Sequence, residues 1–244
     1  MDSTAVTNGR TALFRGVLRR LGTVLIALGV LALVWTFVIW KWNDPVTGVY
    51  TWYEQRQLSA EYAHHLKQAV ATLPRVRQVS TVAEERRQIR RAAGLYRAES
   101  TEGEPIGRII VPRLGLNMVL VNGTDDASLR RGPGRATETY MPGQGQLVYI
   151  AGHRTTFLAP FAQIENLRPG DTITLSVPYG TFAYRVYAHV IVPANDLARL
   201  KSHGREVVAL QACHPRFFAT QRYIVYGRLI RVVPTSGKPF TLPS

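Results

Sequence analysis

From Leu21 to Trp40 the chain runs for 20 residues without a charged side chain. A helix of that length crosses the roughly 30 Å of hydrocarbon in a bilayer. Trp35, Trp40 and Trp42 crowd its far end, where an interfacial aromatic belt would sit. A cleaved signal peptide fits less well, because the apolar core is too long and no small-x-small site follows it. A buried core helix is disfavoured by the charges on both flanks. Arg10, Arg15, Arg19 and Arg20 precede the run, whereas Lys41 and Asp44 follow it. The positive-inside bias therefore makes residues 1–20 a cytoplasmic basic tail and residues 21–40 a transmembrane helix, with everything after Lys41 outside. The expectation is a single-pass protein of the cell membrane, anchored by this helix.

Two helical stretches come next. Leu58, Tyr62, Leu66 and Val70 recur every four residues between Tyr50 and Leu73, and Pro74 interrupts the pattern. A second stretch, Thr81 to Leu95, opens with Thr81 and Glu84 in capping-box spacing. It carries Arg86, Arg87, Arg90 and Arg91, which read as a solvated helix face rather than a headgroup-binding surface. Glu99 to Pro105 has the composition of a linker. Residues 41–104 are thus expected to form an extracellular helical spacer. On that reading, deleting Thr81 to Leu95 leaves the activity of the following domain intact, and a strong gain in activity marks the stretch as a lid instead.

From residue 105 to 244 the pattern changes to short strands. Ile106 to Val111 and Leu116 to Val121 flank a Pro-Arg-Leu-Gly corner, and Gly132-Pro133-Gly134 and Pro142-Gly143 are turns. Gln146 to His153, Thr172 to Val177 and Thr181 to Val192 follow. In the last of these Phe182, Tyr184 and Val186 share one face, while Arg185, Tyr187 and His189 share the other. Val207 to Ala212 and the run from Gln221 to Val233 close the chain. About eight strands and little helix point to an all-β barrel or sandwich.

Chemistry concentrates at strand ends. Val207 to Ala212 is an apolar run ending on Cys213, the only cysteine, and Pro215 then stops the ladder. Arg222 heads the next strand, and His153 ends a strand 60 residues before Cys213. Taken singly, each has an ordinary explanation: a lone cysteine is usually a small buried hydrophobe, and an arginine or histidine at a strand end is usually a surface group. Together they describe a thiol nucleophile, an imidazole that forms a thiolate–imidazolium pair with it and protonates a leaving amine, and a cation for the oxyanion. His214 adjoins the thiol, but neighbours on a strand face opposite ways, so His153 is the expected partner.

Ala151-Gly-His-Arg-Thr-Thr156, Ala209-Leu-Gln-Ala-Cys-His-Pro215 and Gln221-Arg-Tyr-Ile-Val225 resemble, in this order, the motifs of the sortases. Gly107 to Leu116 and Gly132 to Gly134 also match. The resemblance covers residues 106–233 and is closest to the class E sortases of high-GC Gram-positive bacteria. It implies an eight-stranded β-barrel with His153, Cys213 and Arg222 as catalytic residues. It also implies a transpeptidase whose cysteine attacks the Thr carbonyl of a secreted protein's C-terminal sorting signal, of the Leu-(Pro or Ala)-x-Thr-Gly type. The acyl-thioester then passes to an amine of a peptidoglycan precursor or a pilin. One departure is Ala212, where the family usually has threonine before the cysteine. On it rests the alternative of a sortase-like domain that binds sorting signals or wall precursors with little or no turnover. A third reading, an anchored scaffold domain, leaves the three motif matches as coincidence.

Composition narrows the partners. The formal charge is +14, but only four of the 30 Lys+Arg residues are lysine, and no basic block is interleaved with aromatics. Nucleic acid is therefore not an expected partner. One cysteine permits no intrachain disulfide, and the histidines at 64, 65, 153, 189, 203 and 214 lack metal-site spacing. No metal or other cofactor is expected.

Overall fold

The computed structural model describes residues 5–42, 45–74, 81–196, 198, 201–202 and 204–242, with side chains described from 16 to 38 and from 49 onward within those ranges. The side chains of Arg10, Arg15, Trp40, Lys41 and Trp42, together with Asp44 and His203, lie outside the described residues. The chain divides into two compact units, one ending at Pro45 and one beginning at Val46.

The first unit is helix α1, Ala5–Trp42. Within it Gly16–Val38 is long and apolar enough to cross a membrane, with a mean hydropathy of 2.4. Its apolar side chains, such as Leu25, Leu31 and Leu33, stand exposed. In water that much apolar surface is unfavourable, whereas in lipid it is matched by the solvent.

The second unit is a barrel with helices packed on it. Its strands are β1 (Pro105–Val111), β2 (Leu116–Asn122), β3 (Gly134–Arg135), β4 (Leu147–Ala151), β5 (Thr172–Val177), β6 (Gly180–Pro193), β7 (Val207–His214), β8 (Gln221–Pro234) and β9 (Phe240–Thr241). Eight of them join in the order β6-β5-β1-β2-β3-β4-β7-β8, and pairing of β6 with β8 closes the ring. That closing pair runs from Gly180 opposite Pro234 to Pro193 opposite Gln221. β9 adds two residues to β8 beyond the end of β7. Closure removes the free sheet edges that an open β-domain has to protect. The pairs β2–β3 and β4–β7 are parallel, and the others are antiparallel. Period-2 alternation sends Val148, Ile150, Val208, Leu210, Ala212 and Val225 into the main core. It sends Leu147, Tyr149, Ala209 and Ile224 into a smaller cluster on the opposite face of the same strands.

The helices are not a solvated spacer, and here the expectation is corrected. Helix α2 (Pro45–Thr72) buries Leu58 and Tyr62 against Val119 and Val121 of β2. The side-chain amide of Gln55 does what a neighbouring strand would do. It accepts from Val119 N at 2.8 Å and donates to Val119 O at 3.3 Å and to Arg131 O at 2.7 Å. Helix α3 (Val82–Glu99) is N-capped by Thr81, as its spacing predicts, with Glu84 N donating to the hydroxyl at 3.3 Å. Its four arginines at 86, 87, 90 and 91 are exposed, but the opposite stripe of Ile89, Ala92, Ala93 and Tyr96 lies in the main core. The linker is ordered as well: Asn122 donates to the carbonyls of Ser100 and Thr101 at 3.2 and 3.0 Å.

Candidate active site

The parallel β4–β7 ladder sets the site. Tyr149 pairs with Ala209 and Ala151 with Gln211, so positions two residues further on, His153 and Cys213, fall at the same level of neighbouring chains. β4 itself ends at Ala151, two residues earlier than the sequence pattern indicated, and His153 sits just past it. Gly152 N donates to Gln211 O at 3.0 Å and so carries the β4–β7 bonding up to the histidine. Gly152 has no room for a side chain, since a Cβ there would lie 2.7 Å from the Phe161 ring.

On the other side of β7, Cys213 lies directly opposite Arg222 of β8. Side chains opposed in this way start about 5 Å apart at Cβ. Residues 209, 211 and 213 of β7 and residues 222 and 224 of β8 share the face of the smaller cluster, as do 147, 149 and 151 of β4. Cys213 and Arg222 therefore share one face at one end of the barrel, and His153 follows the neighbouring strand at that same end. Ala212 points the other way and is fully buried in the main core.

Each group has a distinct environment. Cys213 is half-buried and is a free thiol. The imidazole of His153 lies against Phe157, with ring centroids 5.0 Å apart and planes at 42°. Its Nε2 is buried and has no hydrogen-bond partner among the described residues. Desolvation holds its pKa below the ordinary 6.5, Asp126 works against that shift, and Arg130 adds to it. Both charges come from the short helix α4 (Asp126–Arg131). The Arg222 guanidinium is folded over the β7–β8 turn, its Nη1 donating to Ala219 O at 2.8 Å and to Gln221 O at 2.9 Å. That turn also presents Phe217 and Phe218 to solvent.

Sequence reasoning passed over Arg154. It is 5% exposed. Its Nη1 donates to Cys213 O at 3.0 Å and lies 2.8 Å from His214 Nδ1, while Nη2 pairs with Glu165 at 2.8 Å. One guanidinium thus ties the last two residues of β7 to the 3₁₀ turn at Ile164–Asn166. The His214 ring packs beside Tyr223 at 5.9 Å, on the core-facing side of β7 away from the thiol's face. The signal for Arg154 was its place next to His153. An arginine in a loop ordinarily reads as surface, which concealed it.

The closed barrel thus carries a free thiol and a guanidinium opposite each other on neighbouring strands, with an imidazole just past the end of a third. The sortase domain model matches residues 109–230, half of the chain, and the protein belongs to the sortase family of transpeptidases. Sortase D of Bacillus subtilis is 30% identical over 132 residues, covering 52% of this chain and 65% of that protein. Sortase SrtE1 of Streptomyces coelicolor is 33% identical over 106 residues, covering 39% of this chain and 30% of that protein. The match therefore spans less than two thirds of either relative. The structure of sortase E from Streptomyces avermitilis superposes with a TM-score of 0.50 at 28% identity, covering 55% of this chain and 93% of that one. The class E likeness read from the motifs agrees with sortase SrtE1 and sortase E among these relatives.

Proposed function

We propose that the protein is a membrane-anchored cysteine transpeptidase acting on a C-terminal sorting signal of the Leu-(Pro or Ala)-x-Thr-Gly type. Cys213 sulfur, as thiolate, bonds to the Thr carbonyl carbon. Arg222 stabilises the oxyanion, for which its side chain swings from the turn carbonyls towards the thiol. The C–N bond to Gly breaks as imidazolium His153 gives its proton to the leaving amine, leaving an acyl-thioester and a neutral imidazole. An amine on a peptidoglycan precursor or a pilin then adds to the thioester carbon and loses a proton to His153. The sulfur leaves as thiolate, and a new amide links the two chains.

The observation that supports this reading is Cys213 opposite Arg222 on adjacent strands, with His153 following the neighbouring strand at the same end of the barrel. The rival reading, binding without turnover, rested on Ala212, and it loses force because that side chain faces the core and not the thiol. Arg19 and Arg20, just before the apolar stretch, support an orientation with the N-terminus in the cytoplasm and the barrel outside.

The test is incubation of the full chain in detergent micelles with Leu-Pro-x-Thr-Gly and Leu-Ala-x-Thr-Gly peptides and an amine acceptor, read by mass spectrometry. Cleavage after Thr with transfer to the amine, absent in Cys213→Ala, is the expected result. A reactive thiol that forms neither acyl-enzyme nor product with either peptide would refute it.

A further inference from the structure

Residues 157–159, directly after the Gly-His-Arg-Thr-Thr motif, adopt a costly conformation. Phe157, Leu158 and Ala159 have φ of 52°, 58° and 40°, three consecutive non-glycine residues in the left-handed region. Such a run persists only where its surroundings over-determine it. Ala159 N donates to Thr156 O at 2.8 Å, Ala162 N to Ala159 O at 2.8 Å, and Phe161 N closes the loop onto His153 O at 3.1 Å. The run turns the chain so that Phe157 lies over the imidazole, and that ring is in turn held from two further elements. Tyr50 of α2 meets it edge-on, with centroids 6.2 Å apart and planes at 71°. The Arg130 guanidinium of α4 sits 5.7 Å from its centroid. α2 and α4 are themselves joined, because the buried Thr51 hydroxyl donates to Arg130 O at 3.3 Å and Gln55 to Arg131 O at 2.7 Å.

A general acid normally has its ring oriented by a hydrogen bond from a third group. Here the Phe157 ring lies against the imidazole on geometric grounds, and Nε2 of His153 has no hydrogen-bond partner among the described residues. We propose that α2 positions the His153 imidazole through the Phe157 ring, which makes Phe157 and Tyr50 positioning residues of the site. This rests on the reading of His153 as the acid. Four groups surround the imidazole or its cover: Asp126 and Arg130 from α4, Cys213 level with it on β7, and Tyr50 from α2 behind Phe157. The aromatic cover keeps water from the ring, which accords with the depressed proton affinity of His153. Loosening the cover hydrates the imidazolium and raises that affinity.

The experiment uses the full chain in micelles and two readouts. Histidine-selective ¹³Cε1 NMR gives the titration midpoint of His153, assigned by its loss in His153→Asn, and peptide turnover gives kcat and KM. Tyr50→Ala is the main variant, because Tyr50 is half exposed and its removal leaves no internal void. The expected result is an upward move of the His153 midpoint by roughly twofold or more in proton affinity. A fall in kcat of roughly three- to tenfold, the worth of an aromatic pair, accompanies it at nearly constant KM. Tyr50→Phe, which keeps the ring, restores both. Phe157→Leu gives the same changes, larger. An unchanged midpoint in both Tyr50→Ala and Phe157→Leu overturns the proposal, as does a Tyr50→Phe variant that behaves like Tyr50→Ala. If the wild-type chain turns over no peptide, the functional reading fails by itself, and the His153 midpoint still decides whether the stack holds the ring.

Discussion

Replacing Arg154 by methionine isolates what one buried guanidinium does for the strand that carries Cys213. Methionine keeps much of the volume and removes every donor. The Glu165 contact is the least costly to lose, since that carboxylate is 40% exposed and water replaces the partner. The contacts to the Cys213 carbonyl and to His214 Nδ1 are different, because they end β7 where Pro215 offers no N–H to extend the ladder. A hydrogen bond to a charged group contributes about 1.5–3 kcal/mol, and removing only one partner strands the other. Two such bonds at the lower figure give about 3 kcal/mol. For a folded unit of this size that corresponds to a drop in Tm of about 6–12 °C. Arg154→Lys keeps the charge but not the fork, so it reaches one partner at a time and falls between methionine and wild type. Differential scanning fluorimetry of the full chain at pH 7.5 reads the shifts, and iodoacetamide labelling followed by mass spectrometry reads the state of Cys213, the sole thiol. A methionine variant melting within about 2 °C of wild type would refute the argument. So would a lysine variant indistinguishable from wild type.

Three further outcomes follow from the packing. Gly152→Ala forces a Cβ to within 2.7 Å of the Phe161 ring; it is expected to displace His153 and reduce peptide turnover at least about tenfold with the far-ultraviolet circular dichroism unchanged. Deleting Thr81 to Leu95 takes Ile89 and the two alanines out of the core and leaves Tyr96 without its helix; at about 1.5–3 kcal/mol per large side chain this approaches the whole stability of a domain, so the product should fail to melt cooperatively. His153 gives a pH signature. Its folded pKa lies below 6.5, so the unfolded chain binds more protons in the window between the two values, and stability rises with pH there. The penalty is complete below the folded value and absent above 6.5, and Tm measured from pH 5 to 8 should show this slope in the wild type and lose it in His153→Asn.

Much of the barrel was legible because strands with one face in the core alternate visibly. β5 runs from Thr172 to Val177 as its pattern indicates, and the two faces of β6 separate as read. β3 and β9 span two residues each and α4 spans six, too short to show any period. The docking of α3 was hidden by composition: two of its four core contacts are alanines, while its outer face carries four arginines. For α2 the decisive residue is a glutamine, which on a helix face ordinarily signals solvent. At the candidate site, Cys213 and Arg222 could be singled out because each lies at a strand end, and His153 because it follows one, a position that sequence can display. Phe157 and Arg154 act through a left-handed turn and a burial that no local pattern announces.

The pairing of Gln55 with Val119 has a bearing on how such a protein can be divided. A piece beginning at Glu104 retains every strand, yet it leaves Val119 with a free N–H and a free C=O on a stretch of β2 where β3 supplies no partner. That stretch is then a template for another copy's strand, and self-association through it competes with folding. Helix α2 is in this sense a plug in a gap of the barrel wall, and the smallest piece that keeps the wall sealed starts before Tyr50 rather than at the first strand.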